Sequence, residues 1–169
     1  GQMPSTAAFV RSLLDACPDI PLILDADALN AMAATPGWYQ GFNGPAVLTP
    51  HPGEMARLTG LSIDQVQADR VGIARRFAAE WRQTVVLKGA HTVIASPDGR
   101  CRVSPFANPG LATGGTGDVL AGMITGLTAQ GLTVFDAASL GVYIHADAAE
   151  QVTRHIGNTG MMASDLLPE

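Results

Sequence analysis

The sequence predicts an α/β layered fold with a mainly parallel central sheet, on three observations. Pro21-Leu22-Ile23-Leu24, Ala46-Val47-Leu48 and Thr84-Val85-Val86-Leu87 are short, continuously apolar runs of the kind that become strands buried on both faces. Stretches with helical spacing and helix-start signals separate them. The 169 residues show no internal repeat, low-complexity tract or linker, so residues 1–169 are expected to form one domain of ordinary size. Strands alternating with helices imply parallel pairing through right-handed crossovers.

The elements follow in chain order. Ser5 is expected to cap a helix reaching about Ala16, with Phe9, Val10, Leu13 and Leu14 at helical spacing and Pro18 blocking continuation. After the first strand, Asp27 is expected to cap a short helix. Ser62-Ile63-Asp64-Gln65 has capping-box spacing, and its helix is expected to run to about Trp81. Residues 91–95 and 101–103 flank Ser96-Pro97-Asp98-Gly99-Arg100, a turn that folds them into an antiparallel hairpin. Two further helices are expected, from about Asp118 to Ala129 and from Val134 to Thr153.

Bulk properties narrow the function. Ten Lys and Arg against 15 Asp and Glu give a formal charge of −5, and no basic run follows a phosphate backbone, so nucleic acid is not an expected partner. The Gly- and Ala-rich stretch from Val119 to Gly131 is too short to cross a bilayer. Gly1 and Gln2 carry no basic or apolar secretory pattern. Cys17 and Cys101 show no metal-ligand spacing and are too few for an oxidised scaffold, which fits a reducing cytoplasm.

The most informative segment is Asn108-Pro109-Gly110-Leu111-Ala112-Thr113-Gly114-Gly115-Thr116-Gly117-Asp118. It ends where an apolar helical pattern begins, so its amides converge at a helix N-terminus, where unpaired N–H groups and the helix dipole favour a phosphate. Glycines let that phosphate approach the main chain. Asp118 repels such an anion, and its presence makes sense if it takes a proton from an attacking hydroxyl. The plainer reading is that Thr116 or Asp118 only caps the helix; a cap needs one such residue and leaves the glycines unexplained. The segment lacks the Gly-Lys-Ser/Thr ending of a Walker loop and the strand–helix context of a dinucleotide fold.

Gly114-Gly115-Thr116-Gly117-Asp118-Val119-Leu120-Ala121-Gly122 resembles the signature of the ATP/ADP-dependent NAD(P)H-hydrate dehydratases, repair enzymes with a ribokinase-like three-layer fold. Leu24 to Asn30, Leu48 to Glu54, Val86 to Thr92 and the closing Gly160 to Leu166 agree in order. The family domain begins upstream of the position of Gly1, with additional strands and a G-P-G-L-G-like loop, so the sheet is expected to be incomplete at the N-terminus. The resemblance implies that His51 and Asp118 contact hydrated NADH or NADPH. It also implies that Lys88, Gly89, Ala90, His91 and Thr92, with Gly115, Thr116 and Gly117, lie along ADP or ATP, and that the protein forms a homotetramer.

Chemistry adds to this. Lys88 ends a buried strand, where a cation neutralises phosphates; a solvated lysine beside a Gly89 turn is the plain alternative. His51 stands in a loop stiffened by Pro50 and Pro52, with an exposed turn histidine as its alternative. Glu54 is either a first-turn carboxylate or a support for metal-bound water, and Asp25 either supports magnesium or substrate or makes a structural hydrogen bond. His145, Asp147 and His155 are read as packing or surface residues, and Met161 and Met162 as core or subunit-contact residues. Mg2+ is expected with the nucleotide, although the metal ligands stay unassigned. The implied reaction is lyase chemistry: phosphorylation of the substrate hydroxyl, then elimination of phosphate. A ribokinase-like small-molecule kinase and a nucleotide-binding fragment without turnover are the alternatives.

Overall fold

A computed structural model of the chain describes residues 4–16, 19–157 and 159–167; Gly1, Gln2, Cys17 and Pro18 lie outside them. In order come α1 (Pro4–Ala16), β1 (Leu22–Leu24), α2 (Asp27–Ala33), β2 (Ala46–Leu48), α3 (Pro52–Thr59), α4 (Ile63–Ala68), α5 (Arg70–Trp81) and β3 (Thr84–Leu87). Then follow β4 (Val93–Ala95), β5 (Cys101–Val103), α6 (Thr116–Ala129) and α7 (Val134–Ile156). The strands form one sheet in the order β1-β2-β3-β4-β5. The first three are parallel, with Leu22 opposite Ala46 and Val47 opposite Thr84, and β4 and β5 continue as an antiparallel hairpin.

Strand alternation explains the three layers. Ala46, Leu48, Val85, Leu87, Val93 and Ala95 point into one apolar cluster with Leu29, Met55, Val66, Phe77 and Trp81. Val47, Val86 and Ile94, the residues between them, point to the opposite cluster with Leu120, Ile124, Phe135 and Val142. Helices thus cover both faces, which is why β2 and β3 read as unbroken apolar runs instead of alternating ones. The result is the mixed α/β layering that the sequence predicts.

Several boundaries differ from expectation, each for a local reason. β1 is only half-buried at Leu22 and Ile23, because it is the edge of the described sheet. The Ser62 capping box forms, with Gln65 N–H donating to Ser62 Oγ at 3.1 Å and Ser62 N–H to Gln65 Oε1 at 2.8 Å. Its helix stops at Ala68, however. Asp69 leaves helical geometry at φ −143° and accepts from Gly72 N–H, starting α5 as a new helix. The cap position of α2 is Ala26, at φ 50°, with no side-chain cap bond, and Asp27 is the first helical residue. α1 begins at Pro4, so Ser5 lies inside its first turn. β4 begins only at Val93, since His91 sits at φ 53°. α6 starts two residues before Asp118, and α7 runs on to Ile156.

Candidate functional site

The parallel strands β1, β2 and β3 deliver Asp25, the Thr49–Glu54 turn and Lys88 to one edge of the sheet, where ligands bind in open α/β folds. Backbone bonds fix the turns: Thr49 N–H donates to Leu24 O at 3.0 Å, and Lys88 N–H to Pro50 O at 2.8 Å. Lys88 then reaches over β2 to Asp25, its Nζ lying 2.6 Å from Oδ1 with both side chains largely buried. Its charge is therefore shared with a carboxylate. A Cβ at Gly117 would lie 3.4 Å from Asp25 Oδ2 and 3.5 Å from Lys88 Nζ, so this ion pair sits against the first turn of α6.

α6 starts without a side-chain cap. Its cap residue is Gly115, in the left-handed region at φ 88°, which glycine adopts without a Cβ penalty. The amides of Thr116 and Asp118 donate to Thr113 O and Gly115 O. Those of Gly114, Gly115 and Gly117 have no protein acceptor among the described residues. Thr116 Oγ1 lies 2.8 Å from the carbonyls of both Leu111 and Thr113, folding the preceding loop onto the helix start. The capping alternative for Thr116 and Asp118 therefore does not hold at this helix.

In front of this terminus lies a cavity of about 510 Å³ whose wall includes His51, Lys88, Gly89, Ala90, Thr92, Thr116, Gly117 and His145. Four segments distant in sequence meet there. Asp118 is exposed and lies outside the wall, one residue beyond Gly117. Gly115 also stands outside it, as does His91, which braces the wall instead: its N–H donates to Phe106 O at 3.0 Å and its ring contacts Ser104 O at 3.1 Å.

His51 turns out to be the N-cap of α3. Its Nδ1 accepts from Gly53 N–H at 3.0 Å and Glu54 N–H at 3.3 Å, while Glu54 Oε2 accepts from His51 N–H at 2.8 Å. Glu54 is buried in this reciprocal pair, which favours its first-turn reading. With Nδ1 an acceptor, the neutral ring carries its proton on Nε2, which lies 3.5 Å from Glu54 Oε1 on a half-exposed side chain.

Three features were not foreseen. The Lys88–Asp25 pair joins residues 63 apart. Arg70, at the start of α5, donates to the carbonyls of Leu87 (3.0 Å), Lys88 (3.2 Å) and Ala90, tying down the loop that holds Gly89 at φ 138°. His145 is buried on the cavity wall, with Nε2 2.8 Å from Thr116 O. Burial pushes its imidazole below the ordinary range; the Thr116 bond opposes that, and the nearby Lys88 charge adds to it. Only tertiary contact reveals such pairs, and no local spacing signals them. Of the two methionines, Met161 is buried in the core and Met162 is exposed.

Among the described residues, no three His, Cys, Asp or Glu side chains cluster as a metal cage. No helix among them is long and apolar enough to cross a membrane.

Comparison with known proteins identifies the family. The chain matches the Carb_kinase family, described as NAD(P)H-hydrate dehydratase, over residues 1–169. It is 50% identical over 164 residues to the bifunctional NAD(P)H-hydrate repair enzyme Nnr of Moorella thermoacetica, covering 97% of this chain and 31% of that protein. The ADP-dependent (S)-NAD(P)H-hydrate dehydratase of Neisseria meningitidis is 46% identical over 154 residues, covering 89% of this chain and 52% of its own length. The crystal structure of the ADP/ATP-dependent NAD(P)H-hydrate dehydratase from Bacillus subtilis, co-crystallised with ATP/Mg2+, superposes with a TM-score of 0.85 at 40% identity, over 98% of this chain and 57% of that one. The chain thus spans between 31% and 57% of the length of these relatives. An uncapped helix start on a cavity at the strand ends, together with a match along its full length, establishes that the chain belongs to the NAD(P)H-hydrate dehydratase family.

Proposed function

We propose that the protein carrying this chain dehydrates hydrated NADH or NADPH, with ADP or ATP as phosphoryl donor. The observation that carries the reading is the open N-terminus of α6, whose Gly117, with no amide acceptor among the described residues, lines a cavity of about 510 Å³. An amide so placed suits the phosphates of the nucleotide. Lys88 through Thr92 form the facing wall, Gly89, Ala90 and Thr92 directly and His91 by bracing the loop behind it.

Asp118 accepts the proton of the substrate hydroxyl as its oxygen attacks the terminal phosphoryl group, and the amides near Gly115 to Gly117 stabilise the transferred charge. Its exposure beside the cavity, not within it, leaves a separate approach for the hydroxyl-bearing substrate. His51 meets that substrate through Nε2, which accepts no cap bond and lies 3.5 Å from Glu54 Oε1. Phosphate is then a far better leaving group than hydroxide. Electron donation from the dihydropyridine nitrogen expels it, and loss of the neighbouring ring proton restores the reduced cofactor.

Magnesium fits these residues as an ion carried on the phosphates, since it takes one or two carboxylates and keeps several waters. Asp25, whose Oδ2 lies against Gly117, is the carboxylate that would hold it, and the ion would neutralise phosphate charge. Assembly as a homotetramer in the cytoplasm belongs to the same proposal. Leu140, Tyr143 and Ile144, exposed together on α7, provide the apolar face that a subunit contact needs.

Incubating the full-length protein with hydrated cofactor and ADP or ATP tests the reaction. Recovery of reduced-cofactor absorbance supports it, whereas accumulation of a stable phosphorylated substrate would identify a kinase.

A further inference from the structure

α7 approaches α6 closely because its inner face is built of small residues. A Cβ on Gly141 would lie 2.8 Å from Ile124 Cγ1, so any larger residue would force the Ile124 side chain or the crossing itself to shift. Ala138, Val142, Ala146 and Ala149 continue the buried face. One turn after Gly141 on that face stands His145, which the close crossing brings to the first turn of α6 with Nε2 2.8 Å from Thr116 O.

A carbonyl can only accept, so Nε2 carries the proton and donates it. Thr116 C=O belongs to the same rigid peptide plane as Gly117 N–H, and in a trans peptide the two groups point in opposite directions. Holding one therefore aims the other. Gly117 N–H is among the amides without a protein acceptor, and Gly117 lines the cavity. Helix starts fray, and this one has no side-chain cap to hold it.

We propose that His145 is a positioning residue for the phosphate seat, donating Nε2–H to the Thr116 carbonyl and so directing the Gly117 amide at an anionic oxygen of the nucleotide. The inference rests on the nucleotide reading of the cavity. It gives a purpose to a buried imidazole that the reaction does not otherwise use. A hydrophobic residue of the same bulk would fill the space; it could not hold the peptide plane.

The test compares ADP binding by calorimetry, and melting temperature, in the full-length protein and its His145→Leu and His145→Gln variants. Glutamine places an amide N–H near the imidazole Nε2 position, and leucine has no donor. His145→Leu should weaken ADP about five-fold, the effect of one neutral hydrogen bond, and His145→Gln should return affinity to within two-fold of wild type. A general structural role would instead lower both melting temperatures and affinities without regard to the donor.

Unchanged affinity in His145→Leu, or equal losses in both variants, overturns the proposal. Should the leucine variant fail to fold, the wild type still decides. Its Gly117 amide resonance must move on ADP addition, and resonances shifting along Lys88–Thr92 with Gly117 unmoved would overturn the assignment. A wild type that binds no ADP removes the nucleotide reading itself, a result distinct from either of these.

Discussion

α3 and α6 begin on the same edge of the sheet and treat their free amides in opposite ways. At α3, His51 Nδ1 takes two backbone N–H groups and Glu54 takes a third, so the terminus is sealed and carries a buried carboxylate. At α6 the cap is Gly115, no side chain intervenes, and the Gly114, Gly115 and Gly117 amides have no acceptor among the described residues. A sealed terminus has little to offer an anion, and Glu54 adds repulsion. The open terminus keeps its donors and the positive end of the dipole. The contrast sets a closed terminus beside an open one along a single edge of the sheet.

The comparison can be broken most severely at Asp118. Asp118→Asn should cut turnover about 100-fold or more, the range for a lost general base, while ADP affinity stays within a few-fold; unchanged kcat in a single-turnover assay would remove the base from the mechanism. Gly115→Ala forces an L side chain to φ 88° with its Cβ 3.1 Å from Ala163 Cβ. That strain should cost about 1–2 kcal/mol in urea unfolding and displace the open amides, so ADP binding should weaken as well.

Lys88→Met should weaken ADP about ten-fold, because it removes a cation and leaves Asp25 unpaired near the phosphates. Combining it with Asp25→Asn should recover part of the loss; no recovery would mean that charge at this pair is not what the nucleotide senses. The sealed terminus gives the smallest effect. His51→Ala should lose about 1 kcal/mol of stability with its cap, and His51→Asn, a strong cap former, should keep it. Activity lost in the asparagine variant at wild-type melting temperature would assign Nε2 to the substrate.

Much of the layered architecture is legible in the sequence because β2 and β3 are buried on both faces, so unbroken apolar runs sufficed. The break between α4 and α5 is not, since Val66, Ile73 and Phe77 all pack against one core and so read as a single amphipathic helix through Asp69. At the site, loops rich in Gly and Pro announce themselves because their backbone needs are local. Lys88–Asp25 and His145–Thr116 are invisible in one dimension, being contacts across 63 and 29 positions made by the sheet order and a close helix crossing. His51 is legible as a loop residue at the strand ends, but its capping duty depends on an unusual use of an imidazole where Ser or Asp is commoner.

Arg70 reaches three carbonyls with one planar group. The loop it grips contains two positive-φ residues, Gly89 and His91, and so is steadied by a strut from α5 as well as by its own sequence. Lysine in its place would preserve the charge and lose the fork. Such a swap would leave the electrostatic field over the cleft nearly intact while loosening one wall, a way to learn whether the nucleotide responds to potential or to shape.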